Sequence, residues 1–108
     1  MNKPGPSIWV FGDYRNYFQN RVTLQLLARA RELAPEIGAE VCAVVFGSQL
    51  NAYVGEYIAH GAETVYVCDD PILKDYSVET YLWLAERLIR QYQPDIFLIG
   101  ATDFGREF

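Results

Sequence analysis

Residues 40–46 read EVCAVVF, and this nearly continuous apolar run decides the fold class. A strand that is covered on both faces has such a run, whereas a strand with one solvated face alternates apolar and polar residues. Gly47 and Ser48 follow and predict a turn into a helix, with Ser48 as the N-cap of that helix. The run is therefore predicted to be a central strand of a parallel sheet.

The same alternation of strand and helix continues along the chain. Strands are predicted at residues 8–11, 40–46, 64–68 and 95–99, and helices at 22–37, 48–61 and 77–92. Strands alternating with helices of this length indicate βαβ units with right-handed crossovers. The chain is thus predicted to be an α/β protein of three layers, a Rossmann-like open parallel sheet in the order 3-2-1-4. Helices one and two are expected on one face of the sheet and helix three on the other.

Several residues predict where the helices begin and end. Gly38 supplies a left-handed position after the first helix, and Pro35 is expected to end or bend that helix early. Ser77 or Asp75 is expected to cap the third helix, and Pro94 to end it. The pair Asp69-Asp70 before a proline predicts a turn.

The end of the sequence predicts an incomplete layer. Residues 98–108 read LIGATDFGREF, and the last four resemble the first turn of a fourth helix. With helix three alone on its face, the apolar strands one and two are expected to be partly bare there. The chain is therefore expected to be the front part of a longer one, truncated after the fourth strand, or to be covered by something else.

Composition excludes several classes of protein. The 108 residues suffice for one domain, and the net charge of −5 with a pI near 4.7 argues against a nucleic-acid partner. No apolar run approaches the ~18 residues of a membrane span, and no secretory signal is present, so the cytoplasm is predicted. Cys42 and Cys68 are predicted to be reduced thiols rather than a disulfide.

Ligands of open α/β sheets bind beyond the carboxyl ends of the strands, where the strand order reverses. The loops at 12–20 and 100–106 face that crevice. The first, GDYRNYFQN, lacks the G-x-G-x-x-G spacing of a dinucleotide loop. Its aromatic residues Tyr14, Tyr17 and Phe18 either pack onto the domain surface or dock a partner or flank a ring.

The second loop contains Thr102, Gly105 and Arg106 at a predicted helix start. Such a terminus favours an anion, to which Arg106 can add a bidentate contact. The alternative is an ordinary capped helix start with Arg106 in solvent. No metal-ligand spacing, nucleophile elbow or other catalytic constellation is present, and His60 is predicted to be structural.

Four segments in this order resemble the amino-terminal domain of the α subunit of electron transfer flavoproteins. They are NRVTLQLLARARELA (20–34), GAEVCAVVFGS (38–48), AHGAETVYVCDDP (59–71) and YQPDIFLIGATDFGRE (92–107). The chain departs from the family's usual residues at Asp13, Tyr17, Arg21 and Gln25, so the first loop is altered.

The resemblance implies an adenine nucleotide α-hydrolase-like fold and a place in an αβ heterodimer. In that family FAD is held mainly by a carboxyl-terminal domain, which is expected to be absent from this chain, so no FAD is expected on the chain alone. The β subunit of that family binds AMP or a second FAD, and the complex exchanges electrons with acyl-CoA dehydrogenases or a quinone oxidoreductase. Thr102, Gly105 and Arg106 are implied to lie at an interface or flavin-facing edge. A free-standing nucleotide-binding module of the universal-stress-protein type is the alternative, whereas an ATP-pyrophosphatase is excluded by the first loop.

Overall fold

A computed structural model describes residues 5–74 and 77–100. The elements run β1 (Ser7–Phe11), α1 (Tyr17–Ile37), β2 (Glu40–Gly47), α2 (Asn51–Ala59), β3 (Thr64–Asp69), a 3-10 turn (Pro71–Leu73), α3 (Val78–Tyr92) and β4 (Ile96–Leu98). All pairings among these four strands are parallel, and their order is β3-β2-β1-β4. The predicted fold class and strand order are therefore confirmed.

Each face of the sheet carries its own apolar cluster. On one face Ile8, Val10 and Val45 pack with Leu27 of α1 and Tyr57 of α2. On the opposite face the cluster contains residues of β1, β2 and α3: Trp9, Phe11, Cys42, Val44, Phe46, Tyr81 and Ala85. Successive side chains of a strand point to opposite faces, so the continuous run of β2 supplies both clusters. The predicted placement of the helices is thus confirmed.

The prediction of a partly bare face over strands one and two is wrong. Trp9, Phe11 and Phe46 are each at most 3% exposed. Their large rings fill the space beside α3, and the Trp9 ring lies 5.0 Å from the Tyr66 ring and 5.7 Å from the Phe97 ring. A few aromatic side chains cover as much area as a larger set of aliphatic ones. At the outer edge of the sheet, by contrast, Val67 of β3 is 45% exposed.

The predicted start of α1 and its early end at Pro35 are also wrong, whereas the left-handed position predicted at Gly38 is confirmed. The helix begins at Tyr17 rather than near residue 22, because the Asn16 side chain accepts a hydrogen bond from the Gln19 backbone N–H at 2.9 Å. Pro35 does not end the helix early, since it lies in the last turn, where its missing N–H costs a single hydrogen bond. The left-handed residue Gly38 (φ 62°) closes the helix, and the Ala39 N–H donates to the Ala34 carbonyl at 2.9 Å.

The prediction that Ser48 caps the second helix is wrong as well. The Asp69 carboxylate, at the end of the neighbouring strand β3, accepts from the backbone N–H groups of Gln49 and Leu50, both at 3.0 Å. Ser77 caps α3 as predicted, by accepting from the Thr80 N–H at 3.4 Å.

The prediction that Cys42 and Cys68 are not disulfide-bonded is confirmed. Cys68 pairs with Phe46 in the sheet, four residues along β2 from Cys42, so the two thiols are not neighbours. Across the described ranges, no helix is both long enough and apolar enough to cross a bilayer.

Candidate functional site at the carboxyl ends of the strands

The segment after β1 is held tightly against the sheet. The Gly12 N–H donates to the Val44 carbonyl at 2.7 Å, which continues the β1–β2 pairing one residue beyond the strand. A Cβ atom at Gly12 would lie 2.7 Å from the Tyr57 ring, so no larger residue fits without a shift. This close approach of backbone and ring leaves no open phosphate-binding loop at the end of β1.

Asp13 and Arg15 form an ion pair at this edge. The Arg15 Nε and Nη2 atoms donate to the two carboxylate oxygens of Asp13 at 3.0 and 2.9 Å. The Asp13 side chain is nearly buried. Its backbone is held by Thr23, whose Oγ1 accepts from the Asp13 N–H at 2.9 Å. A bidentate pair of this kind is both strong and geometrically defined, so Asp13 fixes the loop rather than offering a free carboxylate.

Two tyrosines converge on one backbone carbonyl at the end of β2. The hydroxyls of Tyr14 and Tyr81 donate to the Phe46 carbonyl at 2.9 and 3.2 Å. Burial raises the pKa of both phenols, and the neighbouring Tyr14 raises the pKa of Tyr81 further. Both therefore remain protonated donors at neutral pH. Gly47 (φ 154°) is required beside them, because a Cβ there would collide with the Tyr14 hydroxyl.

The space between these groups is small. A cavity of about 20 Å³ lies among Phe11, Asp13, Arg15 and Tyr81, which is room for about one water molecule. Small-molecule sites typically have several hundred Å³. This cavity between the ends of β1 and β2 therefore has no space for an adenine or flavin ring.

The sequence left two interpretations open for the aromatic residues of the first loop: they pack onto the domain, or they dock a partner or flank a ring. Tyr14 packs onto the domain, with its ring 4.6 Å from that of Tyr53. Tyr17 and Phe18 project from the first turn of α1 and are 78% and 72% exposed. Thr102, Gly105 and Arg106, the site residues proposed from sequence, lie outside the described residues.

The remaining candidates are structural. Asp70 accepts from the Ile72 N–H at 3.0 Å, so the predicted turn is found, and the His60 Nδ1 lies 2.9 Å from the Glu56 carbonyl. The Cys42 Sγ donates to Glu40 at 3.0 Å, and burial raises the pKa of this thiol well above its usual range. Within residues 5–74 and 77–100, no group of three or more His, Cys, Asp or Glu could hold a metal ion.

Two contacts of this edge were not predicted from the sequence. They are the ion pair of Asp13 with Arg15 and the hydrogen bond from Tyr81 to the Phe46 carbonyl, and no sequence motif indicates either.

Comparison with known proteins supplies the family. The model of the electron transfer flavoprotein domain matches residues 8–108. The chain is 37% identical over 100 residues to the electron transfer flavoprotein subunit alpha of Thermoanaerobacterium thermosaccharolyticum, covering 93% of this chain and 30% of that protein. It is 42% identical over 86 residues to the corresponding subunit of Megasphaera elsdenii, covering 80% of this chain and 25% of that protein.

A third relative carries a different name. The acryloyl-CoA reductase electron transfer subunit beta of Anaerotignum propionicum is 32% identical over 100 residues, covering 93% of this chain and 27% of that protein. The chain thus spans less than a third of the length of each of these relatives. The match covers nearly the whole chain and agrees with its parallel sheet, so this chain belongs to the electron transfer flavoprotein family, and its resemblance to the amino-terminal domain of the α subunit is confirmed.

Proposed function

We propose that residues 1–108 act as the amino-terminal domain of an electron transfer flavoprotein α subunit that docks a β subunit. In the complex, FAD carries electrons between dehydrogenases and an acceptor, and this domain serves as a scaffold. The observation that carries the proposal is the family match over residues 8–108. The filled crevice at the carboxyl ends of β1 and β2 supports a docking role over a ligand-binding one.

The described residues favour a carrier component over an enzyme. Tyr14 and Tyr81 are protonated hydrogen-bond donors. The Asp13 carboxylate pairs with Arg15, and the Asp69 carboxylate accepts from a backbone N–H. A free-standing nucleotide-binding module of the universal-stress-protein type would need space for a nucleotide at this edge. Tyr14 and Tyr81 leave only a small cavity between the ends of β1 and β2, and the family match over residues 8–108 favours the electron transfer role.

The cofactor is proposed to lie mainly outside this domain. Because the chain spans less than a third of the length of its relatives, we place FAD mainly on a further domain of the α subunit, and AMP or a second FAD on the β subunit. Acyl-CoA dehydrogenases or a quinone oxidoreductase are the proposed redox partners, and the cytoplasm is the proposed compartment. Thr102, Gly105 and Arg106 are proposed to face the β subunit or its cofactor.

Flavin content tests the placement of the cofactor. The 108-residue chain is purified alone, desalted and measured by absorbance for bound flavin. We expect far less than one flavin per chain, because the domain proposed to hold FAD is not among these 108 residues. One flavin per chain would contradict the proposal.

An Arg106→Ala variant tests docking in the complete αβ complex. We expect weaker assembly or slower electron transfer, with unchanged circular dichroism and melting temperature. Arg29→Ala is the matched control, because the side chain of Arg29 is 73% exposed on α1 and pairs only with Glu32 of the same helix among the described residues. If Arg106→Ala assembles and transfers electrons like the parent, Arg106 is an ordinary solvated residue at a helix start.

A further inference from the structure

The outer strand of the sheet has an unprotected edge. In the described sheet β3 pairs on one side only, with β2, and the register runs without a bulge from Cys42↔Thr64 to Gly47↔Asp69. Soluble proteins usually blunt such edges with lysine, proline, bulges or very short strands. The sequence of β3, TVYVCD, contains no lysine or proline, and Val67 is 45% exposed. Among residues 5–74 and 77–100, no further strand pairs with its outward backbone N–H and C=O groups.

An apolar groove lies directly beside this edge. It has a volume of about 310 Å³ and runs between β3 and α3, with Tyr66 and Cys68 on the strand side and Leu84 and Leu88 on the helix side. A strand added to β3 would point every second side chain towards this face of the sheet. Apolar residues at alternate positions of such a strand would fill the groove.

The rim of the groove carries residues typical of binding hot spots. Trp83 is 57% exposed, and the guanidinium carbon of Arg87 lies 4.8 Å from the centre of its ring. Among the described residues no carboxylate forms an ion pair with Arg87. Tryptophan and arginine dominate the binding energy of many interfaces, and an arginine that pairs with no described carboxylate favours an occupant that supplies one.

A second copy of this chain fits the edge less well. Antiparallel pairing of two β3 strands about a twofold axis would set two α3 helices side by side and bring two Arg87 cations into one interface. Each copy also carries a net charge of −5, and like charges across an interface oppose association. The charges therefore favour a different chain with a carboxylate at the position that reaches Arg87.

We propose that the β3 edge and its groove bind an extended segment of a partner polypeptide, which adds to β3 as a further strand. Main-chain hydrogen bonds to β3 supply affinity, and the groove selects apolar side chains at alternate positions. Arg87 selects a carboxylate on the same face of the segment. This surface is separate from the carboxyl-end edge assigned above, so the two proposals fail independently.

The test uses synthetic peptides and the two tryptophans of the chain. The probe is a capped octapeptide in which Val alternates with Thr and the last Val is replaced by Glu. Because Trp9 is fully buried and already lies in an apolar environment, a blue shift of the emission reports Trp83, which is 57% exposed. We expect a saturable blue shift, slower amide exchange in residues 64–69, and no effect from a peptide with two central prolines.

Arg87→Ala tests the selection of the carboxylate, with amide exchange of β3 as the readout. We expect binding to weaken about tenfold, which corresponds to about 1.4 kcal/mol, whereas Arg29→Ala leaves it unchanged. The proposal is overturned if the probe gives no saturable change at several millimolar, or if the proline peptide binds equally. It is also overturned if Arg87→Ala binds like the parent. Sedimentation that shows a dimer of the chain, made monomeric by Val67→Lys but not by Ile72→Lys, would assign the edge to a second copy instead.

Discussion

Replacement of Asp69 by alanine tests the contact that connects β3 to the start of α2. The Asp69 carboxylate accepts two backbone hydrogen bonds, from Gln49 and Leu50, each at 3.0 Å. A hydrogen bond to a charged group contributes about 1.5–3 kcal/mol, and Asp69 makes two. Asp69 is exposed, so water replaces part of these bonds, and the strain of Gln49 at φ 60° can relax once the carboxylate is gone. We therefore expect a loss of about 2 kcal/mol. For a domain of this size that lowers the melting temperature by roughly 8 °C.

Urea denaturation followed by circular dichroism measures this loss. Asp69→Asn removes the charge but keeps one acceptor oxygen, so we expect about half of the effect. Asp70→Ala is the matched control, since Asp70 caps only the three-residue turn Pro71–Leu73, and its loss should cost less than about 1 kcal/mol. If Asp69→Ala lies within ~0.5 kcal/mol of the parent, or costs no more than Asp70→Ala, the carboxylate does not hold α2 as the geometry indicates.

Two further predictions concern a glycine and the buried phenols. Gly47→Ala should destabilise the domain by about 2 kcal/mol in urea denaturation, because its Cβ would displace the Tyr14 hydroxyl. Gly55→Ala should instead stabilise it by up to ~1 kcal/mol, since that helical position faces open space. Equal effects of these two changes would refute the close approach at Gly47. The pKa values of Tyr57 and Tyr81 are raised, chiefly by burial, so the stability they contribute is present below pH 10 and is lost as pH rises above it. The free energy of unfolding should fall by about 1.4 kcal/mol per pH unit for each of the two phenols, and a pH-independent value between pH 10 and 11.5 would contradict their burial.

The sequence by itself determined the sheet, its strand order and the face on which each helix lies. Residues 41–46 are apolar at consecutive positions, which is typical of a strand covered on both sides. The handedness of βαβ crossovers then leaves few arrangements. These rules depend on local periodicity and chain connectivity, both of which are written in the sequence.

Tertiary structure decided the contacts between residues that are distant along the chain. The two residues before α2 are held by Asp69 rather than by the adjacent Ser48, because parallel pairing brings the end of β3 beside the start of that helix. Tyr14 is anchored on the Phe46 carbonyl while Tyr17 is left in solvent, although both belong to one aromatic loop. The covered face over β1 and the unprotected edge at β3 likewise depend on how side chains fill three-dimensional space. Periodicity specifies which side of an element is apolar, but only packing decides what covers that side.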